Sequence, residues 1–134
     1  MKIVVDGRCM CGAVRYTITA PVEYVGYCHC SSCRQSSGSA FALFAGVKKV
    51  YLQITQGAVS MGNYVRNADT MAHFCRECSS VLFVAVRKGE YAHVQMGTLL
   101  KVPGIWPQSS IPKAVWADDI TNGQPQFTEF PDWC

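Results

Sequence analysis

Eight cysteines stand in a chain of 134 residues, and all but Cys134 fall in tight groups. Cys9 and Cys11 form a C-x-C pair, Cys28, Cys30 and Cys33 a C-x-C-x-x-C run, and Cys75 and Cys78 a C-x-x-C pair. Disulfide frameworks scatter cysteines so that bridges close long loops, and they need an oxidising compartment. Metal sites group cysteines within one turn so that two sulfurs aim at one ion. The grouping therefore points to metal ligation. A redox-active thiol pair at Cys75-Arg76-Glu77-Cys78 is the remaining alternative.

The rest of the composition fits a small folded protein. The length suits one domain over residues 1–134, large enough for an ordinary hydrophobic core. Hydrophobic residues make up 49% and charged residues 16%, which excludes a disordered chain. No apolar run approaches the ~20 residues of a membrane helix; Val81 to Val86 is six. The N-terminal Met1-Lys2-Ile3-Val4-Val5-Asp6-Gly7-Arg8 carries no secretory h-region, so a cytoplasmic location is expected. A net charge of +3 suits small anionic substrates and is too mild for a nucleic-acid footprint.

The chain reads as mainly β. Val14, Tyr16 and Ile18 alternate with Arg15, Thr17 and Thr19, and Val50, Leu52 and Ile54 repeat the period of two. Val81-Leu82-Phe83-Val84-Ala85-Val86 suits a strand buried on both faces. Tyr91 to Met96 is its expected partner across an Arg87–Glu90 turn. No long window carries a helical stripe. The best helical candidate is a short turn over Ser31 to Ser36, with Ser31 or Ser32 as its cap. Residues 103–112, with Pro103, Pro107 and Pro112, read as an irregular loop.

Two constellations carry the chemistry. Cys9 and Cys11, turning at Gly12, and Cys75 with Cys78 together offer four sulfurs, the closed set that zinc prefers in structural sites; iron suits the same ligands. Cys28, Cys30 and Cys33 offer three, which leaves a position open, as in catalytic zinc sites. His29, His73 or Cys134 as a fourth ligand would make that second site structural too. A different division, in which this trio shares a metal with Cys75 or Cys78, would strand the other thiols of the clusters.

These residues resemble a known family. The order Cys9-x-Cys11-Gly12-x-Val14-Arg15-Tyr16, then Cys28-His29-Cys30-Ser31-x-Cys33-Arg34-x-x-x-Gly38-Ser39-x-Phe41, then Phe74-Cys75-x-x-Cys78, is similar to the glutathione-dependent formaldehyde-activating enzymes, which include centromere protein V. Met96-Gly97-Thr98-Leu99, Ala114-Val115-Trp116 and Pro125-Gln126-Phe127 extend the likeness from about Gly7 to Trp133. The resemblance implies a β-tent fold of small antiparallel sheets with at most short helical turns. It implies a structural zinc on Cys9, Cys11, Cys75 and Cys78 and a catalytic-type zinc on Cys28, Cys30 and Cys33. The implied activity is that of a carbon–sulfur lyase, joining glutathione and formaldehyde as S-hydroxymethylglutathione. The sequence departs from the family at Ser79, where a glycine is usual, and at Leu100-Lys101, where many relatives carry an acidic residue.

Arg34, beside Cys33, is the leading cation for a glutathione carboxylate, ahead of Arg15, Lys48 and Lys49. Ser36, Gly38 and Ser39 are candidates for a polar loop facing the substrate. The expected partner is a small-molecule thiol, glutathione first, with neither nucleic acid nor membrane. Two other functions fit the same cysteines: a zinc-bound interaction module without chemistry, and a thiol-based redox or metal sensor.

Overall fold

The computed structural model describes residues 4–101 and the backbone of residues 109–111. Its elements run β1 (Val5–Arg8), β2 (Arg15–Ile18), β3 (Tyr24–Cys28), α1 (Ser31–Ser37), β4 (Ala42–Lys48), β5 (Leu52–Gln56), β6 (Met61–Asn67), β7 (Thr70–Cys75), β8 (Val81–Val86), β9 (Tyr91–Gln95) and β10 (Ser109–Ile111). Strands β1, β2 and β5 form a three-stranded antiparallel sheet in that order. The other strands form a seven-stranded sheet in the order β10-β3-β4-β9-β8-β7-β6. Every pairing in it is antiparallel except β10 with β3.

The alternation seen in the sequence sets which faces meet. Val14, Tyr16 and Ile18 are buried, while Arg15 and Thr17 are half-exposed on the opposite face. They pack against Val47, Leu82, Phe83 and Val94 of the larger sheet, forming the main core between the two sheets. Strand β8 is buried from Leu82 through Val86, as a central strand covered on both faces should be. Its hairpin with β9 turns through Arg87, Lys88 and Gly89, all with positive φ (54°, 58° and 89°). That left-handed turn matches the right-handed twist of the flanking strands.

Three expectations need correction. Val50 belongs to a 3-10 turn, Lys49–Tyr51, and is 74% exposed; the strand starts at Leu52. The helical turn exists, but its cap is Cys30, whose sulfur accepts the Cys33 amide in place of a serine hydroxyl. Within the proline-rich segment expected to be irregular, Ser109–Ile111 pairs in parallel with Gly26–Cys28, because the exposed edge of β3 offers unpaired backbone groups. The rest of residues 102–112, the C-terminal aromatic residues, Asp118-Asp119 and Cys134 lie outside the described residues.

The family-like segment Met96-Gly97-Thr98-Leu99 ties the two sheets together. It makes a 3-10 turn after β9. Thr98 Oγ1 and the Tyr16 hydroxyl share a 2.6 Å hydrogen bond, and Leu100 N–H donates to the Asp6 carbonyl at 2.9 Å. The Tyr16 ring can reach Thr98 because Gly7 leaves it room: a β-carbon at Gly7 would lie 2.1 Å from the ring. Leu100 and Lys101 follow this staple and are exposed.

Candidate metal centres and the cavity beside one of them

The four-thiol set is assembled from two knuckles distant in sequence. In the first, Gly12 N–H returns to the Cys9 carbonyl at 3.2 Å, and Gly12 takes φ 78°. In the second, Ser79 N–H returns to the Cys75 carbonyl at 2.8 Å, and Ser79 takes φ 64°. Ser79 thus holds a left-handed backbone that suits glycine and that serine adopts at some cost. The sulfurs of Cys9, Cys11, Cys75 and Cys78 all lie within 4.8 Å of one another. Cys9 and Cys11 Sγ are 3.6 Å apart, and Cys11 and Cys75 Sγ are 3.8 Å apart. Thiolates bound at ~2.3 Å around a tetrahedral zinc would be spaced by about 3.8 Å. The donor set therefore fits a closed tetrahedral ion.

The surrounding amides favour thiolates. Val14 N–H donates to Cys9 Sγ at 3.3 Å and Ala13 N–H to Cys11 Sγ at 3.5 Å. The Ser80 hydroxyl, 3.2 Å from Cys78 Sγ, is the leading cause that lowers the Cys78 thiol to about 5. Cys9 and Cys75 are buried and belong to the main core, so this centre is part of what holds the sheets together.

The three-thiol set is local. Cys28 ends β3, Cys30 caps α1, and Cys33 lies in the helix's first turn. Their sulfurs lie within 4.8 Å of one another, with Cys28 and Cys30 at 3.5 Å. Hydrogen bonds from Cys28 and Cys33 hold Cys30 far below an ordinary thiol, while the Cys28 thiol is pushed far up by its two neighbours and by burial. Three thiolates at this spacing need a positive ion between them, and the set fits one with three protein ligands.

No histidine joins either set among the described residues. His29 is buried with its ring beside Tyr27 and Phe41, at centroid distances of 6.3 Å and 5.7 Å. Alternation along the chain turns it away from Cys28 and Cys30, and neither ring nitrogen has a hydrogen-bond partner among the described residues. His73 Nδ1 meets Asn63 Oδ1 at 2.7 Å, and its ring stacks on Phe83.

A cavity of about 440 Å³ opens beside the three-thiol set, lined by Cys28, Cys30, Cys33, Phe44, Arg66 and His93 among others. A second cavity, of about 480 Å³, shares Ser32 and Arg66 with the first. Neither is lined by a cysteine of the four-thiol set.

The sequence-based candidates fall around this cavity unevenly. Arg34 Nε donates to the His29 carbonyl at 3.2 Å, which steadies the Cys28–Cys33 loop. Ser36 lines the second cavity. Gly38 caps α1 with φ 69°, and Ser39 N–H donates to the Ser37 hydroxyl. Sequence reasoning missed Arg66 and His93. His93 is buried, stacks on Phe44 at 4.1 Å, and meets the Tyr24 hydroxyl through Nε2 at 2.9 Å.

The family profile described as "Glutathione-dependent formaldehyde-activating enzyme" matches residues 4–118. The chain belongs to this family. A Halomonas elongata protein provisionally given the family's name is 30% identical over 88 residues, covering 61% of this chain and 56% of the relative. A Penicillium rubens protein with the same provisional name is 26% identical over 97 residues, covering 66% and 51%. A Schizosaccharomyces pombe protein described as an uncharacterized lyase is 25% identical over 85 residues, covering 63% and 60%. The chain thus spans little more than half the length of these curated relatives. A crystal structure of a Rhodobacter sphaeroides protein shares the fold, with a TM-score of 0.62 and 22% identity over 91% of this chain and 99% of that one. No helix among the described residues of this formaldehyde-activating family member is long and apolar enough to cross a membrane.

Proposed function

We propose that this chain is a single zinc-binding domain with carbon–sulfur lyase chemistry, acting in the cytoplasm on thiol adducts of small aldehydes. Glutathione and formaldehyde are the leading pair. One observation carries the reading: the three-thiol set borders a cavity, and the four-thiol set borders neither of the two cavities described above. Cys9, Cys11, Cys75 and Cys78 would hold the structural zinc. Cys28, Cys30 and Cys33 would hold the second, which would keep a bound thiolate ionised at neutral pH and polarise an adduct oxygen.

In the synthetic direction a thiolate electron pair forms the carbon–sulfur bond at the carbonyl carbon. The carbonyl π pair moves to oxygen, which takes a proton; the reverse breaks the same bonds. The cavity wall contributes by confinement, since holding both partners together replaces a bimolecular encounter. Phe44 and Val84 give it apolar surface on which a small aldehyde carbon can rest. His93, oriented through Nε2 by Tyr24, is the imidazole on that wall and the candidate for moving the proton. The thiol addition is already easy in water, so the test must be kinetic. Exchange NMR on glutathione–formaldehyde mixtures reads formation and breakdown of S-hydroxymethylglutathione directly. The wild type should speed exchange in proportion to its second-site zinc, and Cys30→Ser should leave it at background. A fully metallated wild type at the background rate would overturn the reading.

A further inference from the structure

Arg66 sits where strand β6 loses its regular register. Val65 pairs with Met71 and Asn67 with Thr70, so Arg66 faces no partner of its own on β7. Such a bulge re-aims a side chain, and bulges recur beside functional sites for that reason. Here it delivers a half-buried guanidinium to the border of the two cavities, where Arg66 and Ser32 line both. Among the described residues Arg66 makes no ion pair and no side-chain hydrogen bond. Asp69, the carboxylate on the first cavity's wall, forms no pair with it. A half-buried arginine with its donors unspent is an anion receptor, and a planar guanidinium suits a carboxylate best.

We infer that Arg66 is the specificity-determining residue of this site and receives a carboxylate of the thiol partner. The inference rests on the thiol-adduct reading above and names the class of thiol: an elongated, anionic one. Its sulfur end would lie at Cys28, Cys30 and Cys33, its carboxylate at Arg66, and its remaining length in the second cavity. A short neutral thiol has nothing to place at Arg66. The border between the cavities, where Arg66 stands, is therefore the favourable position for an anion.

Binding of S-methylglutathione to the zinc-loaded chain tests this without any chemistry, because the thioether cannot react. Its diester, with both carboxylates masked, is the control. Calorimetric titration at low salt should show the acid binding about tenfold more tightly than the ester. Arg66→Gln should erase that preference while leaving ester affinity unchanged, and Arg66→Lys should restore part of it. Equal binding of acid and ester by the wild type, or binding of neither, overturns the inference with no variant involved. A tenfold preference that survives in Arg66→Gln overturns it as well. Exchange NMR separates the two claims. A wild type that selects the acid but leaves the exchange rate at background keeps the Arg66 receptor and loses the lyase reading. One that speeds glutathione and 2-mercaptoethanol equally keeps the chemistry and loses the receptor.

Discussion

The two thiol clusters use the same ligand and differ in how the chain reaches them. Cys11 and Cys75 are 64 positions apart and meet at 3.8 Å. An ion at the four-thiol set therefore closes a long loop and joins the small sheet to the large one. Cys28, Cys30 and Cys33 share one strand end and one helix start, and an ion there closes almost nothing. Cys9 and Cys75 of the first cluster are buried in the main core while Cys11 is exposed, and the second cluster borders a cavity. Loop length and the neighbouring cavity, more than the number of sulfurs, distinguish the two clusters.

The largest expected effect breaks that comparison outright if it fails. Zinc binding to a closed thiolate site contributes on the order of 10–16 kcal/mol, comparable to a domain's whole stability. Cys75→Ser should therefore abolish the cooperative melt. Cys30→Ser should melt within a few degrees of the wild type, because serine is itself a good helix cap and can accept the Cys33 amide as the sulfur does. Equal collapse of both variants would make the second cluster structural.

Next in size is an alkaline effect at the staple that joins the two sheets. Burial raises the Tyr16 hydroxyl from its ordinary 10 to about 12, against the hydrogen bond it shares with Thr98, which lowers it. A folded pKa above the unfolded one gives stability that is complete below pH 10 and lost as the pH climbs to 12. Denaturant titrations across that window should show the wild type losing about 2–3 kcal/mol more than Tyr16→Phe. Parallel curves would place Tyr16 outside the linkage. At neutral pH, Gly7→Ala drives a β-carbon into the Tyr16 ring and should cost roughly 1–3 kcal/mol in chemical denaturation.

The smallest effects form a matched pair, one in each cluster region. Ser79 and Gly38 both hold left-handed backbone, at φ 64° and 69°. Ser79→Gly should relieve strain beside Cys78 and raise stability by up to about 1 kcal/mol. Gly38→Ala should cost a similar amount at the end of α1, where the added β-carbon meets nothing within 4 Å. Melting curves that shift in the same direction for both would refute the backbone explanation.

Much of this organisation was legible in the residues. Cysteine spacing marked both thiol sets, and alternation at Val14, Tyr16 and Ile18 marked the face that packs on the larger sheet. The β8–β9 hairpin could be read because its buried run and its turn are both local signals. What could not be read depends on contacts between distant segments. Tyr64-Val65-Arg66-Asn67 looks like any exposed strand until β7 pairs with it and the register slips at Arg66. His93 reads as an ordinary strand residue until Phe44 and Tyr24 close around it. Cys30 as a helix cap was hidden because sulfur is a rarer cap than the serines that follow it.

Stepwise chelation followed by three readouts on the same sample tests the division between the clusters most directly. Zinc released, circular dichroism and glutathione–formaldehyde exchange are measured together as chelator is added. The open, three-ligand site should lose its ion first. Exchange should then fall to background with the first equivalent of zinc while the β-sheet signal holds, and the fold should be lost with the second. Release of both ions in one step, or exchange that survives until the sheet signal collapses, would contradict the division.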